Sequence, residues 1–188
     1  MITGIIMASG FSRRMKRDKL TIEIDGIKII ERVIKAAVNS QLDEIVLVYR
    51  TDEIKRIGEK YNLKTLYNPV AHLGQSASVI IGTKNSESKS ALMYFVADQP
   101  YLNTPVIDRL IDEYNNRDEN IVIPYFNNVF GMPIIFPPRF RHELLNVLGD
   151  KGGREIIRNY PELLTEVYFK DEILGVDMDK PEDIKAFK

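Results

Sequence analysis

Short apolar runs alternate along the chain with segments in which apolar residues recur every three or four positions. Five runs have the length and composition of β-strands, namely residues 2–7, 44–49, 64–67, 91–97 and 120–124. The helical segments between them are Ile30 to Val38, Ile54 to Tyr61 and Val106 to Tyr114. This order predicts a single α/β domain over residues 1–188, with a mostly parallel sheet covered by helices on both faces.

Two of the strands lack the polar alternation of a half-exposed strand. The runs Ile45 to Val48 and Leu92 to Val96 are continuously apolar, which is typical of central strands buried on both faces. In such sheets the ligand lies at the carboxyl ends of the strands. We therefore expect the loop after the first strand and the residues after Ala97 to open onto one crevice.

The pattern changes in the last third of the chain. The pair Asn127-Asn128 is typical of a tight turn, and the apolar run Val129 to Phe136 follows it. This order favours a strand reversal, which would make the carboxyl-terminal part of the sheet mixed. A helix is then expected to begin at Pro137-Pro138 and to carry apolar residues as far as Leu148.

The loop after the first strand has the composition of an anion-binding loop. It consists of Ala8, Ser9, Gly10, Phe11, Ser12, Arg13, Arg14 and Met15, and it continues to Lys19. Small side chains allow backbone N–H groups to approach a ligand, and the cations would neutralise phosphate oxygens. The pattern suits a nucleotide triphosphate, and the alternative interpretation is an ordinary solvated turn.

Aspartates are the candidate metal ligands. Asp98 ends a long apolar run, where a carboxylate is tolerated near solvent or a cation. Magnesium uses few carboxylates together with waters and phosphates, so one further aspartate would complete such a site. Asp177 or Asp179 could supply it, because residues two apart in a strand share a face. Alternatively, Asp179 caps a helix that begins at Pro181.

Two further segments could contact an anion. Gly74, Gln75 and Ser76 precede a helical segment, and a helix N-terminus favours negative charge. Ser76 is also suited to cap that helix. Arg154 follows a pair of glycines, where it could reach an anionic substrate or belong to a plain turn before a helix.

Composition excludes several classes of function. The net charge of −1 and the pI near 6.2 provide no broad basic surface, so nucleic-acid binding is not expected. The chain has no cysteine, which excludes disulfides, thiolate metal sites and cysteine nucleophiles. It has no apolar run of the ~18 residues that a membrane span needs and no signal-peptide pattern. We therefore expect a cytoplasmic protein with no membrane partner.

Six motifs follow one another along almost the whole chain. They are Ala8 to Met15 with Lys19; Gly74-Gln75-Ser76; Ala97-Asp98-Gln99-Pro100; Gly131-Met132-Pro133 with Phe136; Gly149 to Arg154; and Asp177-Met178-Asp179 with Pro181-Glu182-Asp183. In this combination the sequence resembles the molybdenum cofactor nucleotidylyltransferases, and most of all their cytidylyltransferase branch.

The resemblance implies a Rossmann-like domain of the nucleotide-diphospho-sugar transferase type. It implies catalytic roles for Arg14, Lys19 and Asp98, and a Mg²⁺ ion held by Asp98 and Asp179. The residues that it assigns to nucleotide or substrate contacts are Ala8, Ser9, Gly10, Ser12, Arg13, Gly74, Gln75, Ser76, Gly131 and Arg154. In the implied reaction a phosphate of a molybdopterin-type acceptor attacks the α-phosphorus of CTP, and pyrophosphate leaves. A molybdoenzyme that receives the product is a further implied partner.

The chain departs from the family pattern at four positions. Met7 stands where leucine is usual, Ser9 where alanine or glycine is usual, Lys16 where glycine is usual, and Met132 where histidine is common. Because the position of Ser9 helps to separate cytidine from guanosine enzymes, the choice between CTP and GTP stays open. The other interpretations are a sugar-phosphate or polyol-phosphate nucleotidylyltransferase and a nucleotide-binding regulatory partner of a molybdoenzyme.

Overall fold

Strands and helices alternate through most of the described chain. The computed structural model describes residues 1–12, 18–149 and 153–178. The strands are β1 (Ile2–Ala8), β2 (Glu23–Ile24), β3 (Ile27–Lys28), β4 (Glu44–Tyr49), β5 (Lys64–Tyr67), β6 (Ala91–Val96), β7 (Ile121–Phe126), β8 (Val129–Phe130), β9 (Ile134–Phe136) and β10 (Leu164–Phe169). The helices are α1 (Ile29–Val38), α2 (Asp52–Lys60), α3 (Gln75–Asn85), α4 (Thr104–Asn116), α5 (Arg141–Leu145) and α6 (Arg154–Asn159). None of these helices is both long and apolar enough to span a membrane.

The central sheet has the strand order β10-β7-β9-β6-β1-β4-β5, and β8 pairs with β7 beside this path. β1 is parallel to both β4 and β6, and β4 is parallel to β5. β9 is antiparallel to β6 and β7, whereas β10 is parallel to β7. The prediction of a mostly parallel sheet with a mixed carboxyl-terminal part is therefore confirmed.

The chain reverses its direction across the sheet between β1 and β6. After β1 it passes through β4 to β5 at one edge, and it then returns to place β6 on the other side of β1. The connections that leave β1 and β6 therefore diverge, which opens a crevice at the carboxyl ends of these two strands.

Apolar side chains fill both faces of the sheet. On β4, Leu47 belongs to one buried cluster and Val46 and Val48 belong to the other, and none of the three is exposed. Helices α1, α2 and α4 cover the face of Leu47, and α3, α5 and α6 cover the opposite face. Burying each of these side chains stabilises the fold by about 1.5–3 kcal/mol. The continuous apolar runs in the sequence are explained by this burial on two sides.

The Asn127-Asn128 pair forms the expected tight turn between β7 and β8. Both residues have positive φ angles, 47° and 64°, which asparagine tolerates better than most residues. The run Val129 to Phe136 is not one strand, however, because β8 ends at Phe130 and β9 begins at Ile134. Pro133 lies in the gap and has no N–H to continue the pairing.

The helix expected to reach Leu148 is shorter. A 3-10 turn at Pro138–Phe140 leads into α5, which ends at Leu145. Nδ2 of Asn146 donates to the carbonyl oxygen of His142 at 2.7 Å, so a side chain replaces the backbone donor of the next turn. Leu148 lies beyond this cap and is 79% exposed.

Candidate functional site

A cavity of about 630 Å³ opens at the carboxyl ends of β1 and β6. Its walls come from the loop after β1, the segment at Lys19, the beginning of α3 and the residues that follow β6. The predicted site residues that line it are Ser9, Gly10, Ser12, Lys19, Gly74, Gln75 and Asp98. The crevice expected from the strand order is therefore present, and three of the sequence motifs meet in it.

Lys19 and Asp98 form an ion pair on the wall of this cavity. Nζ of Lys19 donates to Oδ2 of Asp98 at 2.5 Å, and the two side chains are 15% and 17% exposed. The carbonyl oxygen of Asp98 accepts from the N–H of Met178 at 2.9 Å, which also fixes the backbone of Asp98. A cation and a carboxylate are thus held together where β6 ends.

Local hydrogen bonds fix the backbone of Lys19 in this position. Oγ of Ser12 donates to Oδ1 of Asp18 at 3.2 Å and accepts from the N–H of Lys19 at 3.1 Å. Asp18 in turn caps the 3-10 helix Lys19–Thr21 by accepting from the N–H of Leu20. These contacts hold the residues on the two sides of segment 13–17 together.

Three buried polar side chains connect the loop after β1 with the segments that face it. The Oγ atoms of Ser9 and Ser78 are 2.6 Å apart, and Nδ2 of Asn68 is 2.9 Å from the first and 3.2 Å from the second. Ser9, Asn68 and Ser78 are 5%, 1% and 3% exposed. Because buried polar groups that satisfy one another specify one arrangement, this network fixes the β1 loop against α3.

The start of α3 differs from the expectation for Ser76. Gly74, with a φ of 95°, is the N-cap residue, and the helix begins at Gln75. Glycine adopts this backbone conformation without the steric cost that a Cβ brings. Ser76 is inside the first turn and only 4% exposed. The serine of α3 that lines the cavity is instead Ser78.

A smaller cavity of about 170 Å³ adjoins the first. Met7, Gln75 and Val96 line both cavities. Most of the other walls of the smaller cavity are aromatic or aliphatic, and its charged lining residues in the described part of the chain are Arg154 and Asp177.

Gln99 holds Asp177 in place. Nε2 of Gln99 donates to Oδ1 of Asp177 at 2.9 Å and to the carbonyl oxygen of Gly175 at 3.1 Å. Both partners are acceptors, so the side-chain amide must present its NH₂ group to them. The sequence contains no sign of this role of Gln99, because nothing in its spacing connects it with Asp177.

The other predicted contact residues lie elsewhere. Ala8 is 3% exposed and belongs to the core. Gly131 packs on Phe126, since a Cβ at this glycine would lie 2.6 Å from Cδ2 of that ring. Neither residue lines either cavity, and Arg154 lines the smaller cavity alone. Arg13, Arg14 and Asp179 lie outside the described residues, so their roles stay predictions.

The Asp98 carboxylate suits a divalent cation that takes few protein ligands. It lines the larger cavity and already has a cationic partner in Lys19. Within residues 1–12, 18–149 and 153–178, no three acidic, histidine or cysteine side chains are grouped as a metal site. Mg²⁺ takes one or two carboxylates and completes its shell with water and phosphate oxygens, so these residues fit a Mg²⁺ ion that binds together with a nucleotide.

Comparison with known proteins identifies the family. The family described as "MobA-like NTP transferase domain" matches residues 4–164. The chain belongs to this family. The predicted nucleotidyltransferase family is thereby confirmed, and as a MobA-like NTP transferase the protein is an enzyme of nucleotidyl transfer.

Several relatives of this MobA-like NTP transferase cover most of its length. Purine catabolism protein PucB from Bacillus subtilis is 28% identical over 169 residues, which are 84% of this chain and 81% of PucB. A probable molybdenum cofactor guanylyltransferase from Natranaerobius thermophilus is 30% identical over 124 residues, which are 65% of this chain and 60% of that protein. The solved structure of Rv0371C from Mycobacterium tuberculosis in complex with manganese has a TM-score of 0.81 at 17% identity, with 98% of this chain and 96% of that chain covered. The structural similarity confirms the predicted fold class.

Proposed function

We propose that the protein is a Mg²⁺-dependent nucleotidylyltransferase that transfers CMP from CTP to the phosphate of a molybdopterin-type acceptor. The observation that carries the proposal is the meeting of Lys19 and Asp98 at the end of β6, in the cavity bounded by the loop after β1. Family membership accounts for the nucleotidyl transfer. The acceptor is supported by the Natranaerobius relative, whose name specifies the molybdenum cofactor.

The reaction forms one phosphorus–oxygen bond and breaks another. A phosphate oxygen of the acceptor attacks the α-phosphorus of CTP, the bond from this phosphorus to the bridging oxygen of the β-phosphate breaks, and pyrophosphate leaves. The protein must align two anions and offset the charge on the leaving group. A Mg²⁺ ion held by Asp98 would neutralise phosphate charge, and the manganese complex of the structural relative supports a divalent metal.

The described residues can perform the positioning that this reaction requires. Lys19 supplies a cation that donates to phosphate oxygens, and its backbone is fixed through Ser12 and Asp18. Gly74 and Gln75 bring the N-terminus of α3 to the cavity wall, where a helix favours an anion. Outside the described residues, we propose phosphate contacts for Arg13 and Arg14 and a metal contact for Asp179.

GTP is the second candidate nucleotide, because the Natranaerobius relative is named as a guanylyltransferase. We propose that the side chain of Ser9 has a structural role and does not select the base. Its hydroxyl is engaged by Ser78 and Asn68, so base selection falls to other groups of the cavity.

The test is pyrophosphate release with Mg²⁺ and molybdopterin, or its molybdenum-loaded form, in parallel reactions with CTP, GTP, ATP and UTP. We expect release with CTP and a cytidine dinucleotide product in the mass spectrum. Release with GTP alone would assign the guanylyltransferase function instead. Asp98→Asn should abolish turnover, whereas Asp112→Asn, a matched change at an exposed position of α4, should leave it unchanged.

Nucleotide binding without pyrophosphate release in all four reactions would contradict the proposed acceptor. The same assay with sugar phosphates and polyol phosphates would then test the related transferase activity. If no pyrophosphate is released with these acceptors either, the result would favour the regulatory, non-catalytic interpretation.

A further inference from the structure

Arg50 lies beside the loop after β1 and belongs to none of the six sequence motifs. It directly follows β4, whose last residue, Tyr49, pairs in register with Ala8 at the end of β1. Its side chain is 28% exposed, and Arg50 is not among the residues that line the two cavities. Any effect of Arg50 on the site therefore passes through its neighbours.

The guanidinium of Arg50 contacts two consecutive residues of the loop after β1. Its central carbon lies 4.6 Å from the centroid of the Phe11 ring, and Nη2 donates to the carbonyl oxygen of Gly10 at 3.4 Å. A guanidinium over an aromatic face makes a favourable cation–π contact. Because Gly10 and Phe11 both line the larger cavity, Arg50 supports the wall of that cavity without being part of it.

The same guanidinium reaches the segment that carries Lys19. Nη2 of Arg50 is 4.0 Å from Oδ2 of Asp18, and Oδ1 of Asp18 caps the 3-10 helix that begins at Lys19. An ion pair at this distance is weak by itself, but it joins Asp18 to the group that already holds Gly10 and Phe11. The planar fork of arginine allows several such contacts at once, whereas lysine has a single point of charge.

Packing alone does not account for an arginine at this position. Nε of Arg50 is buried and has no hydrogen-bond partner among the described residues. A buried donor without a partner is destabilising, and an unbranched apolar side chain would avoid this cost. Local departures of this kind are expected at functional sites. The unpaired donor therefore indicates a role for Arg50 in the site.

We propose that Arg50 is a positioning residue for the phosphates of the nucleotide: it fixes Gly10 and Phe11 relative to Lys19, so that the larger cavity has its binding shape before the nucleotide enters. This inference rests on the proposed function, which places the phosphates at Lys19. A preorganised site binds more tightly, because fewer groups must be ordered when the ligand enters. Loss of Arg50 should therefore weaken every nucleotide regardless of its base.

The first experiment measures binding without turnover by isothermal titration calorimetry. CTP, GTP and inorganic tripolyphosphate, each with Mg²⁺, are titrated into wild type, Arg50→Met and Arg50→Lys. The matched control is Arg56→Met, at an exposed position of α2. Arg50→Met should raise the Kd of all three ligands about tenfold, which corresponds to about 1.4 kcal/mol, and the control should bind them as wild type does.

Arg50→Lys separates positioning from simple attraction between charges. Lysine keeps the positive charge and loses the fork, so its Kd values should stay at least about threefold above those of wild type. Wild-type affinity in Arg50→Lys would overturn the proposal, because charge alone would then be sufficient. An unchanged affinity in Arg50→Met, or a loss confined to one base, would also overturn it.

The second experiment tests whether Arg50 acts through its neighbours and not through the stability of the fold. The Tm of Arg50→Met should stay within about 2 °C of wild type, because removal of the unpaired Nε donor offsets the lost contacts. Combining Arg50→Met with Phe11→Leu should weaken tripolyphosphate binding by less than the product of the two single effects, since both changes break one contact. A Tm lowered by more than about 5 °C, or strictly multiplicative effects on Kd, would overturn the proposal.

Steady-state kinetics separates this inference from the proposed function. With molybdopterin as acceptor, Arg50→Met should raise the nucleotide KM about tenfold, with kcat and the acceptor KM within about threefold of wild type. If Arg50→Met weakens all three ligands but wild type releases no pyrophosphate with any acceptor, the positioning role stands and the proposed transfer fails. If turnover occurs and Arg50→Met keeps the wild-type nucleotide KM, the transfer stands and the positioning role fails. If wild type binds none of the three ligands, both fail.

Discussion

Replacing Ser78 by alanine tests whether the buried network fixes the loop after β1. The substitution removes two of the three hydrogen bonds of the network: the one between the hydroxyls of Ser78 and Ser9, and the one that Nδ2 of Asn68 donates to Ser78. At about 1 kcal/mol each, this costs about 2 kcal/mol, and the better helix propensity of alanine returns about 0.5 kcal/mol. The net loss of about 1.5 kcal/mol corresponds to a fall in Tm of about 3 to 6 °C for a chain of this size. Thermal unfolding followed by circular dichroism measures it.

The control for this variant is Ser88→Ala. Ser88 is exposed, and its hydroxyl donates to the carboxylate of the adjacent Glu87 at 3.2 Å. The Tm of this variant should therefore stay within about 1 °C of wild type. The double variant Ser9→Ala with Ser78→Ala should lose less than the sum of the two single losses, because the hydrogen bond between the hydroxyls is counted in both. A Tm for Ser78→Ala equal to that of Ser88→Ala, or strictly additive losses, would refute the reasoning.

Two further predictions concern charge. Lys19→Ala should lower kcat for pyrophosphate release by about 10²- to 10³-fold, the usual effect of removing one donor to a developing anion; a steady-state assay that shows less than a fivefold loss would contradict its proposed role. Burial raises the pKa of Tyr94, so the folded protein keeps this proton while the unfolded chain loses it near pH 10. Stability is therefore retained below pH 10 and falls above it by up to about 1.4 kcal/mol per pH unit. The free energy of unfolding, measured with urea between pH 9 and 11, should fall less steeply with pH in Tyr94→Phe than in wild type. Tyr114, whose pKa burial raises to about 12, should cause the part of the fall that the variant keeps. An equally steep fall in the two proteins would exclude Tyr94 as a cause.

The fold was predictable because its strands have a simple physical signature. Residues such as Val46, Leu47 and Val48 are all fully buried, and only a strand covered on both faces requires three apolar neighbours in a row. The same architecture predicts that Ser9 and Asp98, far apart in sequence, meet at one end of the sheet, and both line the larger cavity.

The buried network was not predictable from periodicity. Ser76 and Ser78 are equally suited in sequence to face an anion, and the conformation of Gly74 decides between them by setting where α3 begins. Because successive residues in a helix are rotated by ~100°, the two hydroxyls point to different sides. Asn68 meets Ser9 through a tertiary contact alone, which no local pattern contains.

The position of Asp177 was likewise only partly predictable from the sequence. Its spacing from Asp179 indicates a shared face if the two residues lie in a strand, but residues 176–178, which follow the 3-10 helix Glu172–Gly175, are not in a strand. What orients Asp177 is Gln99, a residue whose contribution depends on how two distant loops pack.

The position of β9 has a consequence for the order in which the chain is assembled during synthesis. β9 fills the edge of β6 opposite β1 and connects it to β7. The ribosome delivers β1, β4, β5 and β6 well before β9, so a nascent chain can pair these four parallel strands while one edge of β6 still lacks its partner. That edge belongs to a strand with fully apolar, buried residues such as Leu92 and Phe95, and open edges of this kind invite pairing with other chains. Chains stalled before Ile134 are thus expected to be the aggregation-prone species and the natural clients of ribosome-associated chaperones.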